Sequence, residues 1–86
     1  MPTEPRAVAV RLFAAAKDRA GAEVVTVRVP AAARIGDVRA ALGASVPGLR
    51  PLVPYLLFAV GTEYAADDAA VPESGEVVAF PPVSGG

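Results

Sequence analysis

Residues 8–30 read VAVRLFAAAKDRAGAEVVTVRVP, and this stretch opens with apolar residues at every second position, Val8, Val10 and Leu12. A period of two in a β-branched sequence is typical of a strand with one buried face. We therefore predict a first strand that ends near Ala14.

The same stretch closes with a second alternating run, at Val25, Val27 and Val29. A short charged connection, Lys17–Gly21, separates the two runs, and Pro30 terminates the second one. A connection this short favours antiparallel pairing. We predict that the two strands form an antiparallel hairpin across this connection.

The period changes after the hairpin. Ile35, Val38, Leu42 and Val46 lie three or four residues apart, with charged residues between them, which is typical of an amphipathic helix. The start of this helix lacks a good capping residue, and Pro47–Gly48 ends it. We predict that packing of the apolar stripe holds the helix in place.

Three more strands are predicted in the second half of the chain. The run Tyr55–Val60 is apolar throughout, which favours a strand buried on both faces. Glu63–Tyr64 is predicted as a short strand, residues 65–72 as a loop, and Glu76–Phe80 as the last strand. One helix across a mixed sheet of about five strands indicates the α+β class and, within it, the ubiquitin-like β-grasp fold.

The composition restricts the chemistry that side chains of this chain can perform. The 86 residues suffice for one small domain, residues 1–86, and include neither cysteine nor histidine. Thiolate catalysis, disulfides, cysteine–histidine zinc sites and histidine acid–base chemistry are thereby excluded. The net charge of −1 argues against nucleic acid as a partner. We expect no metal site.

We expect neither a membrane-spanning segment nor a signal peptide. The longest unbroken apolar run, Tyr55–Val60, is far short of the roughly 20 residues that span a bilayer. The opening residues, MPTEPR, have no apolar core of the kind that signal peptides carry. We expect no membrane association and a cytoplasmic location.

Two sets of carboxylates could form a catalytic pair, Asp67 with Asp68 and Glu73 with Glu76. Adjacent aspartates point to opposite faces of a strand, and in loops they are usually solvated. We interpret both sets as surface charge. The arginines are scattered and the glycines lack the spacing of a phosphate-binding loop, so nucleotide binding by the chain is not expected.

The last residues, Pro81-Pro82-Val83-Ser84-Gly85-Gly86, follow directly after the last predicted strand. Two prolines remove two backbone donors and stiffen the exit, whereas two glycines carry no side chain. We expect a tail, residues 81–86, that projects and is flexible at its tip. Its reactive group is the α-carboxylate of Gly86, which a narrow active site on another protein could admit. A frayed terminus is the alternative.

Two segments carry a family resemblance. Residues 10–21, VRLFAAAKDRAG, resemble the opening of the small subunit of molybdopterin synthase. Residues 76–86, EVVAFPPVSGG, resemble the ending of that family, where an apolar strand runs into Pro-Pro-Val, a small residue and Gly-Gly. The helix start Ile35–Val38 and the strand segment Phe58–Val60 extend the resemblance over nearly the whole chain after Arg6.

The resemblance implies a sulfur carrier that is not an enzyme on its own. In that family an ATP-using adenylyltransferase, related to ubiquitin-activating enzymes, joins the terminal glycine to AMP. A sulfur-donor protein then supplies the sulfur that converts the adenylated glycine to a thiocarboxylate. The large synthase subunit, in a heterotetramer with the small one, uses that sulfur to form the dithiolene of molybdopterin for the molybdenum cofactor. No cofactor would be bound by the chain itself.

The resemblance also implies roles for individual residues. Gly86 would be the adenylated and thiocarboxylated residue. Phe80 and Tyr64 would be apolar contacts to the partners and Lys17 a basic one, with ordinary packing as the alternative for each. The residues that thread into the partner and set the direction of the tail would be Gly85, Ser84, Val83, Pro82 and Pro81.

At two places the sequence departs from the pattern of the family. Gly61 stands where the family usually has asparagine, and Glu73–Glu76 replaces its acidic-glycine-acidic turn, although both suit turns.

Two other functions stay open. Sulfur carriers for thiamine, cysteine, tRNA thiolation or secondary metabolites share the fold and the Gly-Gly end, so another pathway is one alternative. A ubiquitin-like interaction module, with a tail that is inert or conjugated to lysines, is the other.

Overall fold

The computed structural model describes residues 5–82 of the chain. Within them lie five strands, two α-helices and two short 3₁₀ turns. The strands are β1 (Arg6–Leu12), β2 (Val24–Val29), β3 (Leu57–Val60), β4 (Glu63–Ala65) and β5 (Glu76–Phe80); the helices are α1 (Ala14–Ala20) and α2 (Ile35–Ser45); the 3₁₀ turns cover Pro47–Leu49 and Val53–Tyr55.

The strands form one mixed sheet in the order β2-β1-β5-β3-β4. β1 and β2 pair antiparallel, with Val8 opposite Val27, which confirms the predicted hairpin. β5 lies in the centre, parallel to β1 and antiparallel to β3, and β3 pairs antiparallel with β4. With α2 across one face, this order defines the ubiquitin-like β-grasp fold that the sequence predicted.

The core lies between α2 and one face of the sheet. Ile35, Val38 and Leu42 of the helix are fully buried, as the apolar stripe predicted, whereas Val46 is half-buried and stands at the C-cap. Burial of each large apolar side chain contributes about 1.5–3 kcal/mol. The sheet contributes the buried side chains Val8, Val10, Leu12, Val27, Val29, Phe58, Val77 and Ala79.

The connection between β1 and β2 contains the helix α1, which the sequence did not predict, and β1 ends at Leu12, two residues before the predicted Ala14. α1 begins with three alanines, which have the highest helix propensity, and Ala16 is buried against the core. Gly21 ends the helix in the left-handed conformation, with φ at 71°. Its N–H donates to the carbonyl oxygen of Lys17 at 3.0 Å.

The run Tyr55–Val60 is a strand only in its second half. Pro54 and Tyr55 belong to a 3₁₀ turn, and β3 begins at Leu57. Phe58 is buried, but Leu57 is 38% exposed. The strand therefore has one open face, and the prediction of burial on both faces is wrong.

The start of α2 is capped by a residue inside the helix. Arg34, at the N-cap position, offers no capping side chain, as the sequence predicted. Its backbone N–H instead donates to the carboxylate of Asp37 at 2.8 Å, and a carboxylate in the first turn also interacts favourably with the helix dipole. The guanidinium of Arg34 donates to the carbonyl oxygen of Asp68 at 2.6 Å, which fastens the helix start to the loop after β4.

Candidate functional site

β5 carries the chain out of the middle of the sheet. It runs between β1 and β3 and ends at Phe80. Pro81 is half-buried and Pro82 is exposed, and because neither has an N–H, neither can extend the sheet as a donor. The remaining predicted tail residues, which lie outside the described part of the chain, are Val83, Ser84, Gly85 and Gly86.

The exit of the tail lies beside the start of α1. β1 and β5 run parallel, with Leu12 opposite Ala79, and the N–H of Phe13 donates to the carbonyl oxygen of Ala79 at 3.3 Å. Ala14 follows with a φ of 54°, a left-handed conformation that costs a residue with a side chain about 1–2 kcal/mol. The turn from β1 into α1 is therefore strained at the point where the tail leaves the sheet.

The face of the sheet opposite α2 is largely apolar, and no helix within residues 5–82 covers it. Val77 and Ala79 are buried on the helix side, so the alternating residues Val78 and Phe80 point to the other face. Directly paired residues share a face, so Leu57, opposite Phe80, and Ala59, opposite Val78, also lie there. Tyr64 joins them because it lies opposite Ala59. We call it the open face, and its apolar residues are Ala9, Val24, Leu57, Ala59, Tyr64, Val78 and Phe80.

Tyr64 and Phe80, the two apolar contacts expected from the sequence, meet on the open face. Their ring centroids are 5.9 Å apart and the rings are tilted by 48°, which suits a favourable aromatic pair. Tyr64 is 77% exposed, and Phe80 is half-buried next to the exit of the tail. The pair forms an apolar ridge beside that exit, and its contact with a partner stays a prediction.

Two shallow hollows lie on the open face beside β5. The small side chain of Ala9 leaves one of about 270 Å³ between Arg11 and Glu76. The other, of about 210 Å³, is bounded by Tyr64 and Phe80. An apolar floor with charged groups at its margin is the usual composition of a protein–protein interface.

Lys17 is separate from the aromatic pair. It is exposed on α1, one helical turn beyond the start of that helix, and does not line either hollow. The structure thus places it on the helix that begins beside the tail exit and outside both hollows. Its predicted role as a basic contact stays a prediction.

Asp67, one of the carboxylates considered for acid–base chemistry, belongs to a network of contacts centred on Arg39. Asp67 accepts a hydrogen bond from Nη2 of Arg39 at 2.9 Å. The same guanidinium donates to the carbonyl oxygen of Val53 at 2.6 Å and lies 5.0 Å from the ring centroid of Phe58. This network joins α2, β3 and the loop after β4.

Within residues 5–82, no three His, Cys, Asp or Glu side chains lie close enough together to hold a metal ion. None of the helices in this part of the chain is long and apolar enough to cross a membrane.

Sequence reasoning missed most of the open face. Leu57, Ala59 and Val78 lie in runs that are apolar throughout, so no alternation marks which of them face outward. The signal that identifies them is the register, in which Ala59 lies opposite Val78 and Leu57 opposite Phe80. Register depends on the pairing of distant segments, which the sequence pattern does not specify.

The fold and the site together define a class of protein. A β-grasp domain whose central strand leads beside an open apolar face into a Gly-Gly tail is a small ubiquitin-like carrier. The model of the ThiS family matches residues 10–86. The chain belongs to the ThiS family, the ubiquitin-like sulfur carriers, and is not itself catalytic.

Similar solved structures include small archaeal modifier proteins. The crystal structure of SAMP1, small archaeal modifier protein 1, from Haloferax volcanii is 31% identical, with 94% of this chain and 100% of that chain covered and a TM-score of 0.81. A second crystal structure of that protein is 29% identical, covering 90% and 98%, with a TM-score of 0.78. The solution structure from Methanosarcina acetivorans, 21% identical over 96% and 99% with a TM-score of 0.63, shows likeness of fold alone.

These comparisons confirm the resemblance at the level of the ubiquitin-like sulfur carriers. They do not extend to molybdopterin synthase. A carrier of this family implies an activating enzyme and other partner proteins, whose identity the comparisons leave open.

Proposed function

We propose that the carboxyl group of Gly86 is adenylated, converted to a thiocarboxylate and used as a sulfur donor. The observation that carries this proposal is the exit of β5 beside the open face, which leads into Gly85-Gly86. The chain contains no cysteine, so none of its side chains can bear the sulfur as a thiolate. Membership of the ThiS family supports the same chemistry.

The chemistry requires activation because a carboxylate is a poor electrophile. A carboxylate oxygen of Gly86 attacks the α-phosphorus of ATP, and pyrophosphate leaves. A hydrosulfide ion supplied by a donor protein then attacks the carbonyl carbon. A C–S bond forms, the C–O bond to AMP breaks, AMP leaves with the electron pair, and loss of the S–H proton gives the thiocarboxylate. The activating partner binds ATP and supplies the catalytic side chains. The chain contributes a terminus without side chains and a surface that docks it.

Within the family, we assign the chain to the molybdopterin branch, as the small subunit of the synthase, acting in the cytoplasm. The support is the resemblance of residues 10–21 and of the ending Phe80–Gly86 to that subunit. The large subunit would receive the tail and contact the open face, in a heterotetramer, and transfer the sulfur to a pterin precursor.

Two successive assays separate the carrier chemistry from the branch. The chain ending at Gly86 is first incubated with an activating enzyme, ATP and a sulfur source, and then with the large subunit and the pterin precursor. We expect a thiocarboxylate in the first assay and molybdopterin in the second. A thiocarboxylate that the large subunit does not use would overturn the branch and leave the carrier. A chain extended by one alanine after Gly86 is the matched control, which should melt at the same temperature and carry no sulfur.

The names of the similar solved structures, small archaeal modifier proteins, favour a second candidate function. In it the activated Gly86 is attacked by lysine amines of other proteins, which form amide bonds with release of AMP. Cell extracts that contain the tagged chain would be searched for lysines bearing its C-terminal peptide. Abundant adducts together with an unmodified free chain would favour this function over sulfur transfer.

A further inference from the structure

Among residues 5–82, β2 leaves a long edge of the sheet without a partner. It is the outermost strand, Val24–Val29, and in this part of the chain it pairs only with β1. The opposite edge, β4, has three residues. Exposed edges are templates for further pairing, and proteins usually block them with charged side chains, above all lysine, with proline or with a bulge. β2 contains one charged residue, Arg28, and neither lysine nor proline, and its register with β1 has no interruption.

The hydrogen bonds to β1 identify which backbone groups of β2 are free. The N–H of Leu12 donates to the carbonyl oxygen of Glu23 at 2.8 Å, so these two residues form a hydrogen-bonded pair. Such pairs alternate along an antiparallel ladder, and every second residue from Val25 onward therefore points its backbone groups at β1. The residues that point both N–H and C=O away from β1 are Val24, Thr26 and Arg28.

We propose that two copies of the chain pair antiparallel along β2, about a two-fold axis at Thr26, and thereby join their sheets. In this register Thr26 lies opposite Thr26 of the second copy, and Val24 lies opposite Arg28. Each copy contributes three outward donors and three outward acceptors, so all of them are satisfied by six backbone hydrogen bonds. A register shifted by two residues satisfies only four, because one residue of each copy then has no counterpart.

The side chains on the open face suit this register. Two threonines directly opposite each other form a favourable cross-strand pair. The aliphatic part of Arg28 can cover Val24 of the other copy, which is 43% exposed. Glu23, the residue before Val24, has an exposed carboxylate 3.8 Å from Arg11, so Arg28 of one copy would lie opposite a strand end that carries an acidic side chain.

The symmetry of the pairing avoids repulsion between like charges. Arg28 of the second copy lies opposite Val24 of the first copy, four residues along the strand from Arg28 of the first copy. The two arginines are therefore about 14 Å apart along the strands. This distance exceeds the screening length of about 8 Å at physiological salt. β2 is self-complementary in hydrogen bonds and in charge, which favours a second copy over an unrelated strand.

The pairing leaves the tail exit accessible. β1 separates β2 from β5, so the exit lies two strand spacings, about 10 Å, from the joined edges. The inference is independent of the proposed carrier function, and each can fail without the other.

The test combines the mass of the full chain in solution with amide hydrogen exchange. Sedimentation velocity is measured from about 10 µM to about 1 mM, a range that resolves weak dimers. We expect the weight-average mass to rise towards twice the monomer mass. Over the same range, exchange of the Val24, Thr26 and Arg28 amides should slow about tenfold, whereas exchange of the Val25 and Val27 amides, already bonded to β1, should not change.

Two substitutions at one position provide the control. Thr26→Pro removes an outward N–H without removing a bond to β1, and we expect a monomer at every concentration. Thr26→Val keeps that N–H and should dimerise like the wild type. A wild-type chain that stays monomeric at about 1 mM with unchanged exchange at the three amides refutes the proposal, whether or not Thr26→Pro folds. A dimer that persists in a folded Thr26→Pro variant refutes it as well.

Discussion

Substitution of Gly48 by alanine should force apart α1 and the 3₁₀ turn that follows α2. A Cβ atom at Gly48 would lie closer to the backbone carbonyl oxygen of Arg19 than the 3.0 Å that Cβ atoms keep. That oxygen belongs to the last turn of α1, so it cannot rotate away as a side chain would. Relief requires a shift of α1 or of the turn, and overpacking of this kind costs about 1–3 kcal/mol. In a domain of this size a loss of about 2 kcal/mol lowers Tm by roughly 8–16 °C.

Gly43 provides a matched control with the opposite sign. It lies inside α2, and its Cβ would meet the methyl groups of Val53 at 3.7 Å, which is ordinary van der Waals contact. Alanine inside a helix is favoured over glycine by about 0.8–1.0 kcal/mol, so Gly43→Ala should raise Tm. Thermal and urea unfolding of the two variants measure both effects. A Gly48→Ala protein that melts with the wild type would refute the packing of α1 described above.

Three further substitutions have defined outcomes. Ala14→Gly should stabilise the fold by about 0.5 kcal/mol in urea unfolding, because glycine adopts the positive φ without strain; a loss of stability would mean that Ala14 is not strained. Tyr64→Ala should weaken binding of the activating enzyme about tenfold in calorimetry, as expected for an exposed aromatic contact, whereas Tyr55→Ala, at a second exposed tyrosine in the 3₁₀ turn before β3, should bind normally. Asp37→Ala should cost about 1 kcal/mol through loss of the helix cap, and equal losses from Asp37→Ala and from Asp68→Ala, at an exposed loop carboxylate, would contradict that role.

The hairpin and α2 are predictable from the sequence because their signal is local. Every second residue of β1 is apolar, and the stripe from Ile35 to Leu42 has a helical period, so each segment reports its own buried face. The sequence does not reveal α1 in the same way. Seven residues are too few for an autonomous helix, and α1 forms because Ala16 packs on the core and Gly21 ends the helix.

The candidate site is only partly predictable from the sequence. The Gly-Gly ending is read directly, and the resemblance to a family singled out Tyr64 and Phe80, which come from β4 and β5 and meet across β3. Leu57 and Val78 join them through strand register, a property of long-range pairing. The free edge of β2 likewise becomes visible only when the strand order is known.

Under the proposed function, the open face accounts for how the chain acts without catalytic side chains. A partner that binds this exposed apolar surface beside the tail exit would raise the effective concentration of the tail at its own active site. Binding energy from the open face would then position a terminus that ends in two glycines. Substitutions on the face should therefore affect the activation of Gly86 and leave its intrinsic reactivity unchanged.

The most direct test of the carrier function is the intact mass of the chain ending at Gly86, expressed in a host that makes molybdenum cofactor. The account predicts a fraction of molecules heavier by about 16 Da, the replacement of one oxygen by sulfur, with the added mass located at Gly86 by fragmentation. A mass that stays unmodified, also after incubation with ATP, a sulfur source and an activating enzyme that adenylates the tail, would contradict the account.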